Sequence, residues 1–111
     1  MAVVSEHPGI HIGEEYQVLE VLANRTRVMF RIPPRADSWD SVDTPGLWDA
    51  AMFEVVSDRM PACWVAGLND GGLTLAPKEW QRPGFWEDYF DHLPDALDQY
   101  DRLKAQIIAE A

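Results

Sequence analysis

The segment from Gly84 to Asp101 constrains the fold of this chain more than any other. It reads GFWEDYFDHLPDALDQYD and carries six carboxylates but no Lys or Arg. At helical spacing its aromatic and leucine side chains form one stripe, which a folded domain must bury. That stripe consists of Phe85, Trp86, Tyr89, Phe90, Leu97 and Tyr100. The pattern predicts two C-terminal helices that cover a core and turn their carboxylates outward.

The outward side of these helices is strongly acidic. Its members, which we call the acidic helical face, are Glu87, Asp88, Asp91, Asp95 and Asp98. Solvated helix faces usually mix charges of both signs, and this one lacks a cation. Two interpretations stay open at this point. The face serves only solubility, or it is complementary to a basic protein partner.

Length and composition indicate one folded domain with an acidic surface. The 111 residues suffice for a single core, and 47% hydrophobic residues argue against disorder despite a formal charge of −10. We expect neither nucleic acid nor a membrane as partner, because both are bound through Lys and Arg. The single cysteine, Cys63, and the lack of a signal-like or membrane-length apolar run predict a cytoplasmic location.

Five segments have the composition of β-strands. They are GEEYQVLEVL at 13–22, RTRVMFRI at 25–32, AAMFEVVS at 50–57, the run around Trp64, and GLTLAP at 72–77. The second segment alternates most clearly and places Arg25, Arg27 and Arg31 on one side. Those arginines are expected to face the acids of the preceding segment or the solvent.

Strands followed by helices predict an α+β fold. The expected architecture is a five-stranded, strongly bent antiparallel sheet or an SH3-like barrel with two C-terminal helices. Within a single domain of residues 1–111, we expect a flexible N-terminal segment at 1–12, a β-rich part at 13–76 and the helices at 84–110.

The stretch between the second and third predicted strands is long for a connector and is therefore a candidate contact surface. This acidic loop combines Asp37, Asp40, Asp43 and Asp49 with Trp39, Leu47 and Trp48. Tryptophan is prominent among interface hot spots, but a loop Trp also commonly covers the end of a small barrel. The covering role is favoured for Trp48, which precedes a strand, and the contact role for Trp39.

No catalytic or metal-binding motif stands in the sequence. His7 and His11 are separated by Pro8 and Gly9, which argue against a helix that would bring them together, and a third ligand is lacking. Cys63 lies among apolar residues, a setting that raises a thiol pKa. We therefore expect a protein that is not an enzyme and uses no cofactor and no metal ion.

Two family resemblances follow from short patterns. A Y-x-V-L strand at Tyr16 and an F-E-V-V strand at Phe53 resemble those of small bacterial SH3-like barrel modules, over residues 13 to about 76. The tail PGFWEDYFD, which follows a P-x-x-W run at Pro77, resembles small acidic immunity proteins of bacterial toxin systems. The first resemblance implies a barrel and the second a role in blocking a basic toxin. Neither assigns a role to a numbered residue.

Two functional hypotheses follow. In the first, the acidic loop and the acidic helical face bind a basic protein, with carboxylates supplying the field and Trp39 the buried contact area. In the second, the chain is a structural or assembly module, a homodimer whose exposed indoles meet across a twofold axis. The two differ in salt response, because charge-driven association weakens with ionic strength and apolar association does not.

Overall fold

The computed structural model describes residues 2–5, 13–33, 45–69 and 71–110, which form an α+β structure. The strands are β1 (Ala2–Ser5), β2 (Glu15–Gln17), β3 (Glu20–Ala23), β4 (Val28–Ile32), β5 (Gly46–Asp49), β6 (Phe53–Ser57), β7 (Trp64–Asn69) and β8 (Gly72–Pro77). The helices are α1 (Phe85–Phe90) and α2 (Pro94–Ala109), and short 3-10 helices span Ala50–Met52 and Lys78–Gln81. The two predicted C-terminal helices are thereby confirmed.

The strands form two antiparallel sheets instead of the single bent sheet expected. One sheet has the order β2-β1-β6 and the other the order β5-β4-β3-β8-β7. Among the described strands neither sheet closes into a barrel. The predicted strand at 13–22 breaks at Val18 and Leu19, which are adjacent and both fully buried. Regular alternation would bury only one of two neighbours, so the break sends β2 and β3 into different sheets.

Two further strands lie where the sequence indicated none. β1 falls in the segment expected to be flexible and is the central strand of its sheet, where Val3 pairs with Tyr16 and with Val55. β5 falls in the expected acidic loop and pairs with β4. Ala50–Met52, expected as the start of a strand, is helical because the Asp49 carboxylate accepts a hydrogen bond from the Ala51 N–H at 2.9 Å.

Two apolar clusters hold these layers together. The first, between the sheets, comprises Val3, Val18, Val21, Phe30, Ile32 and Phe53. The second, beneath the helices, comprises Leu19, Trp80, Phe85, Tyr89, Ala96, Tyr100, Leu103 and Ile107. In the predicted helical stripe Phe85, Tyr89 and Tyr100 are buried and Trp86 and Leu97 are partly buried, whereas Phe90 is 47% exposed.

The β7–β8 hairpin is closed by a two-residue loop. Asn69 pairs with Gly72 across it, and Gly71 has φ +77°, a conformation that glycine adopts without steric penalty. The Gln81 side chain lies over this hairpin and donates through Nε2 to the carbonyls of Val65 at 2.7 Å and Ala76 at 2.9 Å. A Cβ on Gly67 would collide with the Gln81 amide oxygen, so a larger residue at this position would displace the Gln81 side chain.

Candidate functional site

A tight reversal between α1 and α2 builds the acidic helical face. Asp91 ends α1 and His92 follows with φ +59°, after which Pro94 is the first residue of α2. His92 is exposed and lies just after the end of α1. The reversal puts Asp91 and Asp95 on either side of one short turn. Their carboxylates therefore extend a negative surface from one helix to the next.

Within the described residues, most of this face has no counterion. Glu87, Asp91, Asp95 and Asp98 are exposed, and within the described part of the chain none of them makes an ion pair. Asp88 is half-buried and pairs with Arg82, whose Nη2 lies 2.9 Å from Oδ2. One arginine therefore neutralises one of five carboxylates. The remaining four keep a net negative field at the surface.

Packed aromatic rings hold the face in place. The ring centroids of Tyr89 and Tyr100 are 4.5 Å apart, which joins α1 to α2. Trp80 stacks on Tyr100 at 5.4 Å and on Phe85 at 6.2 Å. Such ring pairs stabilise beyond their buried area by about 0.5–1.5 kcal/mol each. The carboxylates are thus carried by a rigid scaffold, although α1 has only six residues.

A buried ion pair ties the same helices to the five-stranded sheet. Arg31 donates through Nε to Glu20 at 2.6 Å and through Nη1 to the Pro45 carbonyl at 3.2 Å. Its guanidinium carbon lies 3.9 Å from the centroid of the Trp86 ring, and the Trp86 side chain also hydrogen-bonds to Glu20. For Arg31 the expected pairing with an acid of the preceding segment is confirmed.

The electrostatics of this pair are dominated by burial. Glu20 is fully buried, and loss of hydration raises the pKa of its carboxyl above 4.5 despite the opposing charge of Arg31. Perturbed carboxyls occur at catalytic sites, but there they face a cleft that substrate can enter. Glu20 and Arg31 are enclosed, and their geometry suits a structural role.

Trp48 lies apart from the acidic helical face. It pairs with Phe30 across β5 and β4, so its side chain points to the side of the sheet opposite Arg31 and Trp86. It is 37% exposed, and a Cβ on Gly46 would lie 3.2 Å from its indole nitrogen. The other loop candidates, Asp37, Trp39, Asp40 and Asp43, lie outside the described residues. The described part thus brings together Glu87, Asp88, Asp91 and Asp95 but not Trp48.

Cysteine and metal chemistry find little support in the described residues. Burial and the neighbouring negative charge of Glu110 raise the pKa of the Cys63 thiol, whereas a nucleophilic thiol needs a lowered one. Among residues 2–5, 13–33, 45–69 and 71–110, no three His, Cys, Asp or Glu side chains are grouped to hold a metal ion. No helix in those ranges is both long and apolar enough to cross a bilayer.

The roles of Trp86 and Gln81 could not be read from local patterns. Trp86 belongs to the predicted buried stripe, but nothing in its neighbourhood indicates that it covers an arginine 55 positions earlier. Gln81 follows the P-x-x-W run and lacks any distinguishing signal. Comparison of the chain with family models, with curated proteins and with solved structures finds no match in any of the three.

Proposed function

We propose that this protein is a non-enzymatic binding module whose acidic helical face engages a basic protein. One observation carries the proposal: four exposed carboxylates lie on a rigid pair of helices without a counterion in the described part of the chain. A surface that served only solubility would gain from interspersed cations, which reduce self-repulsion. The formal charge of −10 extends the attraction beyond the contact area.

The mechanism is electrostatic capture followed by steric blockade. Clustered carboxylates raise the association rate with a basic surface and impose a strong dependence on salt. A partner that binds nucleic acid presents such a surface, and an immunity protein covering a toxin would act in this way. In this proposal Asp37, Asp40 and Asp43 of the acidic loop add to the field, and Trp39 adds apolar contact. The cytoplasm is the proposed compartment.

Matched charge variants test the proposal. Glu87→Gln, Asp91→Asn and Asp95→Asn together remove three charges from the acidic helical face. The control, Glu15→Gln, Glu54→Gln and Asp58→Asn, removes three charges from other exposed positions and leaves the same net charge. Tagged wild type and both variants are used to capture proteins from a lysate of the source cell at low and at moderate salt. The association rate of the purified captured protein is then measured.

We expect wild type and the control to retain a basic protein that salt releases. The helical variant should associate more slowly by on the order of tenfold at low salt. Equal rates for the two variants would mean that net charge, and not this face, drives capture. Capture of acidic or neutral proteins that salt does not release would remove the electrostatic mechanism.

A further inference from the structure

Four strands occupy sheet edges in the described part of the chain, and one of them is unprotected. Folded proteins guard edge strands with charge, bulges or short length, because an open edge pairs with other chains. β2 carries Glu15, β5 has four residues and ends at Asp49, and β6 carries Glu54 and an irregular register opposite β1. β7, with the sequence WVAGLN, has six residues and neither charge nor proline.

The hairpin register shows which backbone groups of β7 are available. Residues that flank a two-residue loop form a hydrogen-bonded pair, and such pairs then recur at every second position. Asn69, Gly67 and Val65 therefore direct their N–H and C=O groups towards β8. The Gln81 amide bonds to the carbonyls of Val65 and its partner Ala76, which agrees with this assignment.

Ala66 and Leu68 consequently direct their backbone groups away from β8, to the open edge. In the described chain no backbone hydrogen bond outside the ladder uses them. Both residues are exposed, and Leu68 is 80% exposed, so no described element covers this edge. β7 thus offers two donors and two acceptors at the spacing of a missing neighbouring strand.

We propose that β7 pairs antiparallel with β7 of a second copy of this chain, about a twofold axis at Gly67. In this register Ala66 of one copy lies opposite Leu68 of the other, and both are residues with free backbone groups. Each of the two equivalent pairs exchanges two hydrogen bonds, so the register is self-complementary. The five-stranded sheets of the two copies then join into one continuous sheet.

Side chains and charge also fit a second copy. The large Leu68 side chain of one copy meets the small Ala66 of the other. Gly67 adds no side chain of its own at the axis, where the Gln81 amide of each copy lies on the opposite face of the strand from Leu68. Two chains of formal charge −10 repel each other over most of their surfaces, but this edge strand carries no charge. A basic partner would gain nothing electrostatic from an uncharged strand. The uncharged edge is therefore the place where two acidic copies can pair with least repulsion.

The test uses the full chain at increasing protein concentration in moderate salt. Sedimentation analysis of wild type should show a monomer–dimer equilibrium. Leu68→Lys should raise the dimer dissociation constant by on the order of tenfold or more, because it replaces the apolar contact by like charges near the axis. The matched control Val55→Lys places the same charge on an exposed apolar residue of the β6 edge and should leave the dimer intact.

Amide hydrogen exchange of wild type gives an independent reading that does not depend on a variant. The Ala66 and Leu68 amides should be protected at high concentration and exchange freely on dilution, whereas Gly67 and Asn69 stay protected throughout by β8. A chain that remains monomeric with freely exchanging Ala66 and Leu68 amides would overturn the proposal and leave the edge to another protein's strand. A dimer that Val55→Lys disrupts and Leu68→Lys spares would overturn it equally.

Discussion

Arg31 lies against Trp86, with its guanidinium carbon 3.9 Å from the indole centroid, and connects the central sheet to the helices that carry the acidic helical face. The same guanidinium donates to the buried carboxylate of Glu20 at 2.6 Å. A buried ion pair adds little stability compared with an apolar pair, but loss of one partner leaves an uncompensated charge. This arrangement therefore fixes the position of α1, but neither Glu20 nor Arg31 can be replaced alone without a loss of stability.

The first prediction concerns that ion pair. Arg31→Met should lower the free energy of unfolding by about 3–5 kcal/mol, because Glu20 stays buried without its counterion. The double variant Glu20→Gln with Arg31→Met should recover much of the loss, since no charge remains and the Gln oxygen still accepts from Trp86. Urea unfolding of both variants and of wild type measures the coupling. Losses that simply add would show that the two residues act independently.

The second prediction concerns pH. The folded state raises the pKa of Glu20, so the native protein holds this proton more tightly than the unfolded chain. The stability contributed by Glu20 is then fully present below pH 4.5, which corresponds to the ordinary pKa of its carboxyl. It is lost as the pH rises through the raised pKa of the folded state. The urea midpoint of wild type should fall as the pH rises from 4.5 through the raised pKa, and the midpoint of Glu20→Gln should fall less steeply. Parallel curves for the two proteins would contradict a raised pKa.

The third prediction concerns Gly67 and Gln81. Gly67→Ala should destabilise by about 1–2 kcal/mol, because the new methyl group displaces the Gln81 amide from its two carbonyl acceptors. Gln81→Ala should have a similar effect, and the double variant should lose little more than Gln81→Ala alone. Thermal unfolding of the three variants decides the matter. If the double variant loses the sum of the two single effects, Gly67→Ala does not act through the Gln81 side chain.

The fourth prediction concerns the orientation of α1. Phe85 is 1% exposed and Phe90 is 47% exposed, although both belong to the stripe predicted to be buried. Phe85→Ala should therefore lower the free energy of unfolding by about 3–5 kcal/mol. Phe90→Ala, as a matched control of the same chemistry, should change it by less than about 1 kcal/mol. Equal losses in denaturant titrations would indicate that α1 is rotated relative to the described structure.

Local patterns in the sequence predicted several elements of the fold. The helical stripe that includes Leu97 and Tyr100 predicted α2, and the alternation around Phe30 predicted β4. These signals depend on neighbours in sequence, so they can be read without knowledge of the rest of the chain. The exposed carboxylates Glu87, Asp91 and Asp95 followed from the same stripe. Their proposed role, and that of Trp39 in the acidic loop, stays a prediction.

Sheet membership was decided by contacts between distant parts of the chain. β1 lies between β2 and β6, and β3 pairs with β8 about fifty residues later, so no local period indicates either pairing. The same holds for Trp86 over Arg31 and for Gln81 over Gly67. In each case a side chain meets a surface that exists only once the strands have assembled. The sequence by itself determined the two C-terminal helices and their acidic face. Tertiary structure decided the two-sheet architecture, because strand partners are chosen by the burial of shared apolar area.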